Sequence, residues 1–248
     1  MFRALVALAA TGLASIMIAA CSAGPNGRPP ASGASPPTRT ASTSPNQVHP
    51  PPPNPTAAAL AGGKKVIFLT FDDGPDPAWT PKILQVLAKY GAHATFFEVG
   101  RMQVTHPGLS EQVTAAGDAI GSHTVSHQKL TSLPPARLHH EIFDGPKSTC
   151  LRPPDGATNH RVRSAITAAG MVQVLWTVDP RDWARPGVAA IERNVLGHAR
   201  PGAIVLMHDG GGNRSQTVAA LDTVLRVLKQ QGYSFPAMDC FPPHDGTG

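Results

Sequence analysis

The stretch Thr70-Phe71-Asp72-Asp73-Gly74-Pro75 places two adjacent carboxylates after the apolar residues 66–69 and directly before a Gly-Pro pair that turns the chain. The apolar run predicts a β-strand, whose side chains alternate between the two faces of a sheet. If the strand ends here, Asp72 and Asp73 can reach a common mouth, where one binds a metal ion and the other handles a proton. The alternative is an ordinary turn, because Asp, Gly and Pro are common turn residues.

Two histidines follow in the segment His123-Thr124-Val125-Ser126-His127. Residues i and i+4 lie on one face of a helical turn, so this spacing predicts that both imidazoles can chelate one ion. Such a pair alone is more often solvated or buried without a metal. Together with Asp73 it makes a three-ligand set with open positions, which is typical of a catalytic metal site. Zinc is the expected ion, with Co²⁺ or another divalent ion as the alternative.

Three further segments begin where an apolar run stops and polar residues follow. They are Arg152-Pro153-Pro154-Asp155-Gly156, Asp179-Pro180-Arg181-Asp182-Trp183 and Leu206-Met207-His208-Asp209. Each one alone is better explained as an ordinary transition from strand to loop. The glycines at 210–212 lack the Lys-Ser/Thr of a phosphate-binding loop, so we expect a flexible loop beside the active site.

Taken in order, these segments resemble the motifs of the polysaccharide deacetylases, also called the NodB homology domain or carbohydrate esterase family 4. The family motifs are TFDDGP, H[ST]xxH, RxPxG, DxxDW and LxH; this chain has TFDDGP at 70–75, HTVSH at 123–127, RPPDG at 152–156, DPRDW at 179–183 and LMH at 206–208. The resemblance runs from about residue 66 to residue 235. Ordered motifs over that span are far more specific than any one of them.

The resemblance implies a metal centre and a general base. Asp73, His123 and His127 would hold the metal, which would polarise the substrate carbonyl and lower the pKa of bound water. Asp72 would be the general base on that water. Arg152 would pair with Asp72 and orient it.

The resemblance also implies a general acid and a set of substrate contacts. His208 would protonate the departing amine, and Asp182 would orient this histidine and raise its pKa. The implied substrate contacts are Asp155, whose backbone N–H would donate to the oxyanion, its neighbour Pro154, and the pocket walls Trp183 and Leu206. Asp155 stands where the family usually has Tyr, so we expect an altered substrate preference.

The activity implied by the resemblance is metal-dependent removal of acetyl groups from an N-acetylated cell-envelope polysaccharide. Peptidoglycan N-acetylglucosamine is the expected substrate, and a chitin-like oligosaccharide is the alternative. Two other functions stay open: an O-deacetylase of the acetylxylan esterase type, and an inactive protein that binds cell-wall glycan. We expect the protein to be a monomer.

Strand and helix patterns alternate along the rest of the domain. Apolar runs lie near 66–71, 94–99, 118–121, 149–152, 171–178, 203–207 and 233–236, and segments of helical period, such as 81–91 and 217–232, lie between them. This alternation predicts an α/β fold with parallel strands, and motifs at the carboxyl ends of strands are typical of a β/α barrel. The resemblance implies a distorted (β/α)7 barrel.

The chain ahead of this domain has a different composition. Residues 1–20 predict a lipoprotein-type signal peptide, because Ile18-Ala19-Ala20-Cys21 looks like a lipobox in which Cys21 is lipidated. An ordinary cleaved signal or an uncleaved anchor is the alternative. Residues 21–62 are rich in Pro, Ser and Ala and predict a disordered tether. The folded domain is then expected at 63–240, with a short tail at 241–248.

Charge and cysteine content fit an exported protein. Three of the 21 Lys and Arg residues precede residue 63, which leaves 18 against 16 Asp and Glu in the domain, so we expect no nucleic-acid partner. We expect the protein to be lipid-anchored at the cell membrane or secreted to the envelope. In an oxidising compartment Cys150 and Cys240 either form a disulfide or remain two separate buried thiols, and the sequence leaves both open.

Overall fold

A computed structural model of the chain describes residues 63–240 together with Thr56. Within those residues, parallel strands form one sheet in the order β5-β4-β3-β2-β1-β6. The strands are β1 (Ile67–Asp72), β2 (Ala94–Glu98), β3 (Ala119–Ser122), β4 (Cys150–Leu151), β5 (Val172–Gln173) and β6 (Ala203–His208). The predicted signal peptide, lipidated Cys21, tether and C-terminal tail lie outside the residues that the structure describes.

Helices connect the strands, as the alternating pattern predicts. They are α1 (Thr80–Tyr90), α2 (Gly100–Thr105), α3 (Leu109–Ala115), α4 (Pro135–Phe143), α5 (His160–Ala168), α6 (Val188–Gly197) and α7 (Ser215–Gln230). The two helices expected near 81–91 and 217–232 are α1 and α7. Helix α1 ends at Gly91, which takes the left-handed conformation (φ 58°) and donates its N–H to the carbonyls of the last turn.

The sheet curls because one segment reaches both of its sides. Within residues 172–178, the Val174 N–H donates to the Leu151 carbonyl of β4 (2.9 Å), and Val178 accepts from the Leu206 N–H of β6 (2.9 Å). The expectation of a distorted β/α barrel is confirmed. The last of the predicted strand segments, 233–236, contributes only the bridge between Ser234 and Val66. Pro236 has no N–H with which to extend a ladder.

Strand β1 lies between β2 and β6 in the sheet and is buried along its whole length. A parallel strand covered on both faces has no polar side, which explains the apolar run at residues 66–69. Ile67, Leu69 and Phe71 pack among the residues of α1 and α7, and Phe68 packs with the cluster that contains Met238. The buried strand therefore delivers the two aspartates at its carboxyl end to a fixed position.

The two cysteines of the domain are joined to each other. The Cys150 and Cys240 sulfur atoms form a disulfide with a Cα–Cα distance of 5.1 Å. Because Cys150 begins β4, the bridge fastens the end of the described chain to the amino end of that strand. None of the helices within the described residues has the length and hydropathy needed to cross a membrane.

Candidate metal and catalytic site

The end of β1 presents two carboxylates to one cavity. Asp72 is the last strand residue, and Asp73 adopts a left-handed backbone (φ 77°) that stops the alternation of side chains. Both residues line a cavity of about 380 Å³ at the carboxyl ends of the strands. Across the sheet, Asp72 is in register with His208 at the end of β6. The carboxyl ends of neighbouring parallel strands therefore assemble the site.

The two histidines of the HTVSH segment meet, but not on a helical turn. This part of the prediction is wrong: the segment is an irregular loop after β3, with left-handed backbone at Thr124 (φ 70°) and His127 (φ 61°). The carboxylate of buried Glu141 on α4 holds the loop, because it accepts hydrogen bonds from the Ser126 N–H (2.8 Å) and from the Ser126 hydroxyl. The left-handed turns bring the two imidazoles together.

Asp73, His123 and His127 form a group that can hold a metal ion. One ligand atom from each residue lies within 4.8 Å of the others. The Nε2 atoms of His127 and His123 lie 3.1 Å and 3.6 Å from the Asp73 Oδ1 atom. That oxygen is buried and has no well-aligned hydrogen-bond donor among the described residues. A buried carboxylate oxygen without a donor needs a compensating charge, which a cation supplies.

The protonation of Asp73 and His123 also fits a metal, whereas the adjacent Asp73 carboxylate raises the pKa of His127. The Arg152 carbonyl accepts a hydrogen bond from His123 Nδ1–H (2.8 Å), which leaves the Nε2 lone pair towards Asp73. Burial lowers the pKa of His123. Burial alone would raise the pKa of Asp73, but the close imidazole of His127 and the charges of His123 and His208 lower it below its ordinary value. Neutral imidazole and ionised carboxylate are the forms that bind metals.

Asp72 is held beside this group by a buried arginine. Arg152 is fully buried, and its Nη1 donates to Asp72 Oδ1 (2.6 Å) and to the Thr70 hydroxyl (2.8 Å). Its guanidinium also stacks on the Phe97 ring, at 4.1 Å from the centroid. The second carboxylate oxygen of Asp72 lies 3.7 Å from His123 Nε2. One oxygen is therefore fixed by the arginine while the other faces the candidate metal group.

His208 faces the same cavity and is backed by Asp182. Asp182 Oδ1 accepts a hydrogen bond from His208 Nδ1–H (2.7 Å), and Asp182 Oδ2 accepts from the His208 backbone N–H (3.0 Å) and the Thr217 hydroxyl (2.7 Å). Burial alone would lower the pKa of His208, but the hydrogen bond and charge of Asp182 raise it above its ordinary value. The raised pKa favours a protonated imidazole that can donate from Nε2.

The walls of the cavity come from loops after several strands. Leu206 and Trp183 line it as expected, and 48% of Trp183 is exposed. Asp155 also lines the cavity, in a left-handed conformation (φ 58°). Pro154 is buried within the same turn and is not among the lining residues. The structure thus brings together every predicted metal, base and acid residue, and sets Pro154 apart from the cavity surface.

Several residues of the site were given no role by the sequence patterns. Trp176 and Asp179 line the cavity, although the sequence patterns gave them no role. Thr70, Glu141 and Thr217 orient Arg152, the histidine loop and Asp182 through hydrogen bonds. Thr70 lies within the TFDDGP motif, and Glu141 and Thr217 lie outside the motifs. Because each of these residues contacts a side chain that is distant in sequence or in an irregular loop, a single sequence does not reveal the contact.

Comparison with known proteins places this geometry in a family. Residues 59–174 match the family model described as "Polysaccharide deacetylase". A curated peptidoglycan-N-acetylglucosamine deacetylase of Bacillus cereus is 45% identical over 182 residues, which is 69% of this chain and 85% of that protein. A chitooligosaccharide deacetylase of a Bradyrhizobium species is 38% identical, over 69% of this chain and 88% of its own length.

A solved structure agrees with these relatives. The crystal structure of the Bc1960 peptidoglycan N-acetylglucosamine deacetylase superposes with a TM-score of 0.68 at 32% identity, over 71% of this chain and 86% of that one. A parallel β/α barrel with an Asp-His-His group at the carboxyl ends of its strands defines a class of metal-dependent hydrolases. Within that class, this chain belongs to the polysaccharide deacetylase family.

Proposed function

We propose that the protein removes N-acetyl groups from N-acetylglucosamine residues of peptidoglycan in the cell envelope. The observation that carries this proposal is that the Asp-His-His group, the arginine-held Asp72 and the Asp182-held His208 all border one cavity. Hydrolysis of an amide needs an activated water, a stabilised oxyanion and a proton for the amine, and these groups supply each of them.

The first half of the reaction falls to the groups around Asp72. Zinc bound by Asp73, His123 and His127 would act as a Lewis acid and lower the pKa of water. Asp72 accepts the proton of the attacking water, because its Oδ2 is directed at the metal group while its Oδ1 is held by Arg152. The backbone N–H of Asp155, on the left-handed turn at the cavity wall, is the proposed oxyanion donor.

The second half falls to His208. Its Nδ1–H is engaged by Asp182, so Nε2 is the atom that gives a proton to the departing amine. Leu206 is buried and Trp183 is partly exposed at the opening, so we propose that Leu206 receives the acetyl methyl and Trp183 packs on the sugar. The names of the relatives from Bacillus cereus and Bradyrhizobium support N-acetylglucosamine as the reacting sugar and leave peptidoglycan and chitooligosaccharide as rival polymers.

We also propose that the domain is exported and tethered to the membrane by a lipid on Cys21. The support is the lipobox-like Ile18-Ala19-Ala20-Cys21 and the Pro-rich segment that follows it. A disulfide between Cys150 and Cys240 is compatible with an oxidising compartment. Such a placement would bring a monomeric enzyme to the polymer that it modifies. Metabolic labelling with a fatty acid, compared between the native chain and Cys21→Ala, tests this part.

The reaction is tested with purified, zinc-loaded protein and muropeptides of known acetylation. Mass spectrometry is expected to show the loss of one acetyl group per N-acetylglucosamine, and Asp72→Asn is expected to abolish it. Chitotetraose and acetylated xylan are tested in parallel. Faster acetate release from chitotetraose would show that a chitooligosaccharide, and not peptidoglycan, is the preferred substrate. Acetate release from xylan alone would show that the protein is an O-deacetylase. Glycan binding without any acetate release would refute the proposal that the protein is an enzyme.

A further inference from the structure

The glycine run after His208 is closely packed at its start, where Gly210 is buried, whereas Gly211 and Gly212 are exposed. Asp209 and Gly210 donate their N–H groups to the Asp72 carbonyl, at 3.0 Å and 3.3 Å. A Cβ atom at position 210 would lie 2.7 Å from the Gly74 nitrogen, and one at 211 would lie 2.6 Å from Asp73 Oδ2. Only residues without side chains allow this approach. The segment after β6 therefore wraps directly around the turn that carries Asp73.

The side chain of Asp209 occupies the centre of this contact. It is fully buried, and its Oδ2 accepts a hydrogen bond from the Thr80 hydroxyl (2.5 Å). The same hydroxyl accepts from the Asp76 N–H (2.8 Å), so the carboxyl is tied to the start of α1. The carboxyl also abuts Gly74, where a Cβ atom would overlap both carboxylate oxygens. Asp209 thus connects β6, α1 and the residue next to Asp73.

Asp209 has no place in the proposed reaction. It is not one of the residues that line the cavity, and the metal group consists of Asp73, His123 and His127. Complete burial raises the pKa of Asp209 well above its ordinary value, and the nearby carboxylates raise it further. This shift favours the neutral form of the carboxyl. Its contribution is shape and hydrogen bonding.

We propose that Asp209 is a positioning residue that fixes the turn of Asp73 and Gly74 and thereby sets the affinity for the metal. The proposal rests on the metal-dependent function proposed above. The ligands from the histidine loop are anchored separately by Glu141 and by the Arg152 carbonyl. Among residues 63–240 no hydrogen bond of this kind anchors the Asp73 carboxylate, so the packing of Asp209 and Gly210 around the turn determines where that carboxylate points.

The test measures zinc affinity, without substrate, by competition with a chromophoric chelator. Asp209→Ala is expected to bind zinc about 10- to 100-fold more weakly, the effect typical of losing support behind a metal ligand. Asp209→Asn keeps the shape and an acceptor for Thr80, and is expected to stay within about threefold of the native affinity. Thr80→Val removes the hydrogen bond and leaves the carboxyl in place, and a smaller loss in the same direction is expected.

The matched control is Asp118→Ala. Asp118 is also a buried acid and accepts the Ala94 N–H (2.6 Å), but it lies at the amino ends of β2 and β3. This variant is expected to lower the unfolding temperature and to leave zinc affinity unchanged. An unchanged affinity in Asp209→Ala overturns the proposal, as does an equal loss in Asp118→Ala, since the effect would then follow stability. If Asp209→Ala does not fold, the affinities of Thr80→Val and Asp209→Asn decide.

This outcome is separable from the fate of the proposed function. If the native protein binds zinc, loses affinity in Asp209→Ala and releases no acetate from any glycan, the positioning role stands and the deacetylase assignment fails. If the native protein releases acetate and Asp209→Ala binds zinc with native affinity, the deacetylase assignment stands and the positioning role fails. A fall in kcat of Asp209→Ala that saturating zinc restores is the further expected result.

Discussion

The two ends of the barrel use different residues where the backbone turns left-handed. At the carboxyl ends of the strands these positions include Gly156, Gly211 and Gly212 but also six residues with a Cβ atom: Asp73, Thr124, His127, Asp155, Arg181 and Arg185. At the opposite end, where helices lead into strands, the corresponding residues are glycines: Gly91, Gly117, Gly170, Gly202 and Gly232. A residue with a Cβ atom pays for this conformation and glycine does not. Backbone strain is therefore concentrated around the candidate active site, as expected where geometry has been favoured over stability.

Buried charge is distributed in the same unequal way. Arg152, Asp72, Asp182 and Asp209 are buried around the cavity, whereas the opposite end combines the buried acid Asp118 with apolar packing and the disulfide. Buried ionisable groups weaken a fold unless they are paired, and here each of these has a partner that also aims it. The amino ends of the strands therefore maintain the fold, and the carboxyl ends maintain the positions of the reactive groups. Substitutions at the two ends should therefore separate function from stability.

The largest expected effect is at the metal group. Asp73→Ala removes the carboxylate shared by both histidines, so zinc affinity should fall beyond detection and kcat/KM should drop by at least about 1,000-fold. Asp72→Asn should lose about as much kcat and retain zinc, because its role is proton transfer. Zinc titration and acetate release measure the two effects. Native zinc affinity in Asp73→Ala would contradict the assignment of this ligand.

Removing the disulfide at the amino end of β4 should change the stability of the fold and not the chemistry of the site. The disulfide closes a loop of 90 residues, so replacing both Cys150 and Cys240 by Ser should lower the free energy of unfolding by about 4 kcal/mol. Zinc affinity and kcat should change less than about threefold if the two ends are independent. Urea denaturation measures the first quantity and the assays above measure the others. A parallel loss of zinc binding would show that β4 transmits strain from Cys150 to Arg152.

A smaller effect is expected in the pH dependence. Asp182 raises the pKa of His208, so Asp182→Asn should lower that pKa and the imidazole should lose its proton at lower pH. The fall of kcat on the alkaline side should then move to lower pH, with kcat at neutral pH reduced about 10- to 100-fold. Asp144→Asn, in the exposed His140–Asp144 pair, is the control and should leave the profile unchanged. An alkaline limb that does not move would exclude His208 as the acid.

The smallest effects are expected from the left-handed positions themselves. Gly91→Ala introduces a Cβ at φ 58° and should lower the free energy of unfolding by about 1 kcal/mol. Arg185→Gly removes the Cβ atom of an exposed residue at φ 55° and should raise the free energy of unfolding by up to about 1 kcal/mol. Urea denaturation of both variants checks the signs. If both substitutions changed the free energy of unfolding in the same direction, strain would not be unequally distributed between the two ends.

Much of this architecture could be predicted from the sequence because it depends on local patterns. The apolar run before Asp72 marks a buried strand, and the helical period that ends near Gly91 marks α1. The ordered motifs indicate the metal group, the base and the acid. The helical turn predicted for the two histidines is wrong because i, i+4 spacing does not distinguish a helix from a loop with left-handed residues, and the tertiary contact with Glu141 selects the loop.

The sequence by itself determined the residue types that this chemistry requires, their order, and the strand ends at which they lie. Only the tertiary structure decided the distances between them, such as the register that sets Asp72 beside His208 and the packing of Asp209 and Gly210 around Asp73. The reason is physical: hydropathy periods are properties of neighbouring residues, whereas register and close packing depend on how distant segments fill the same space.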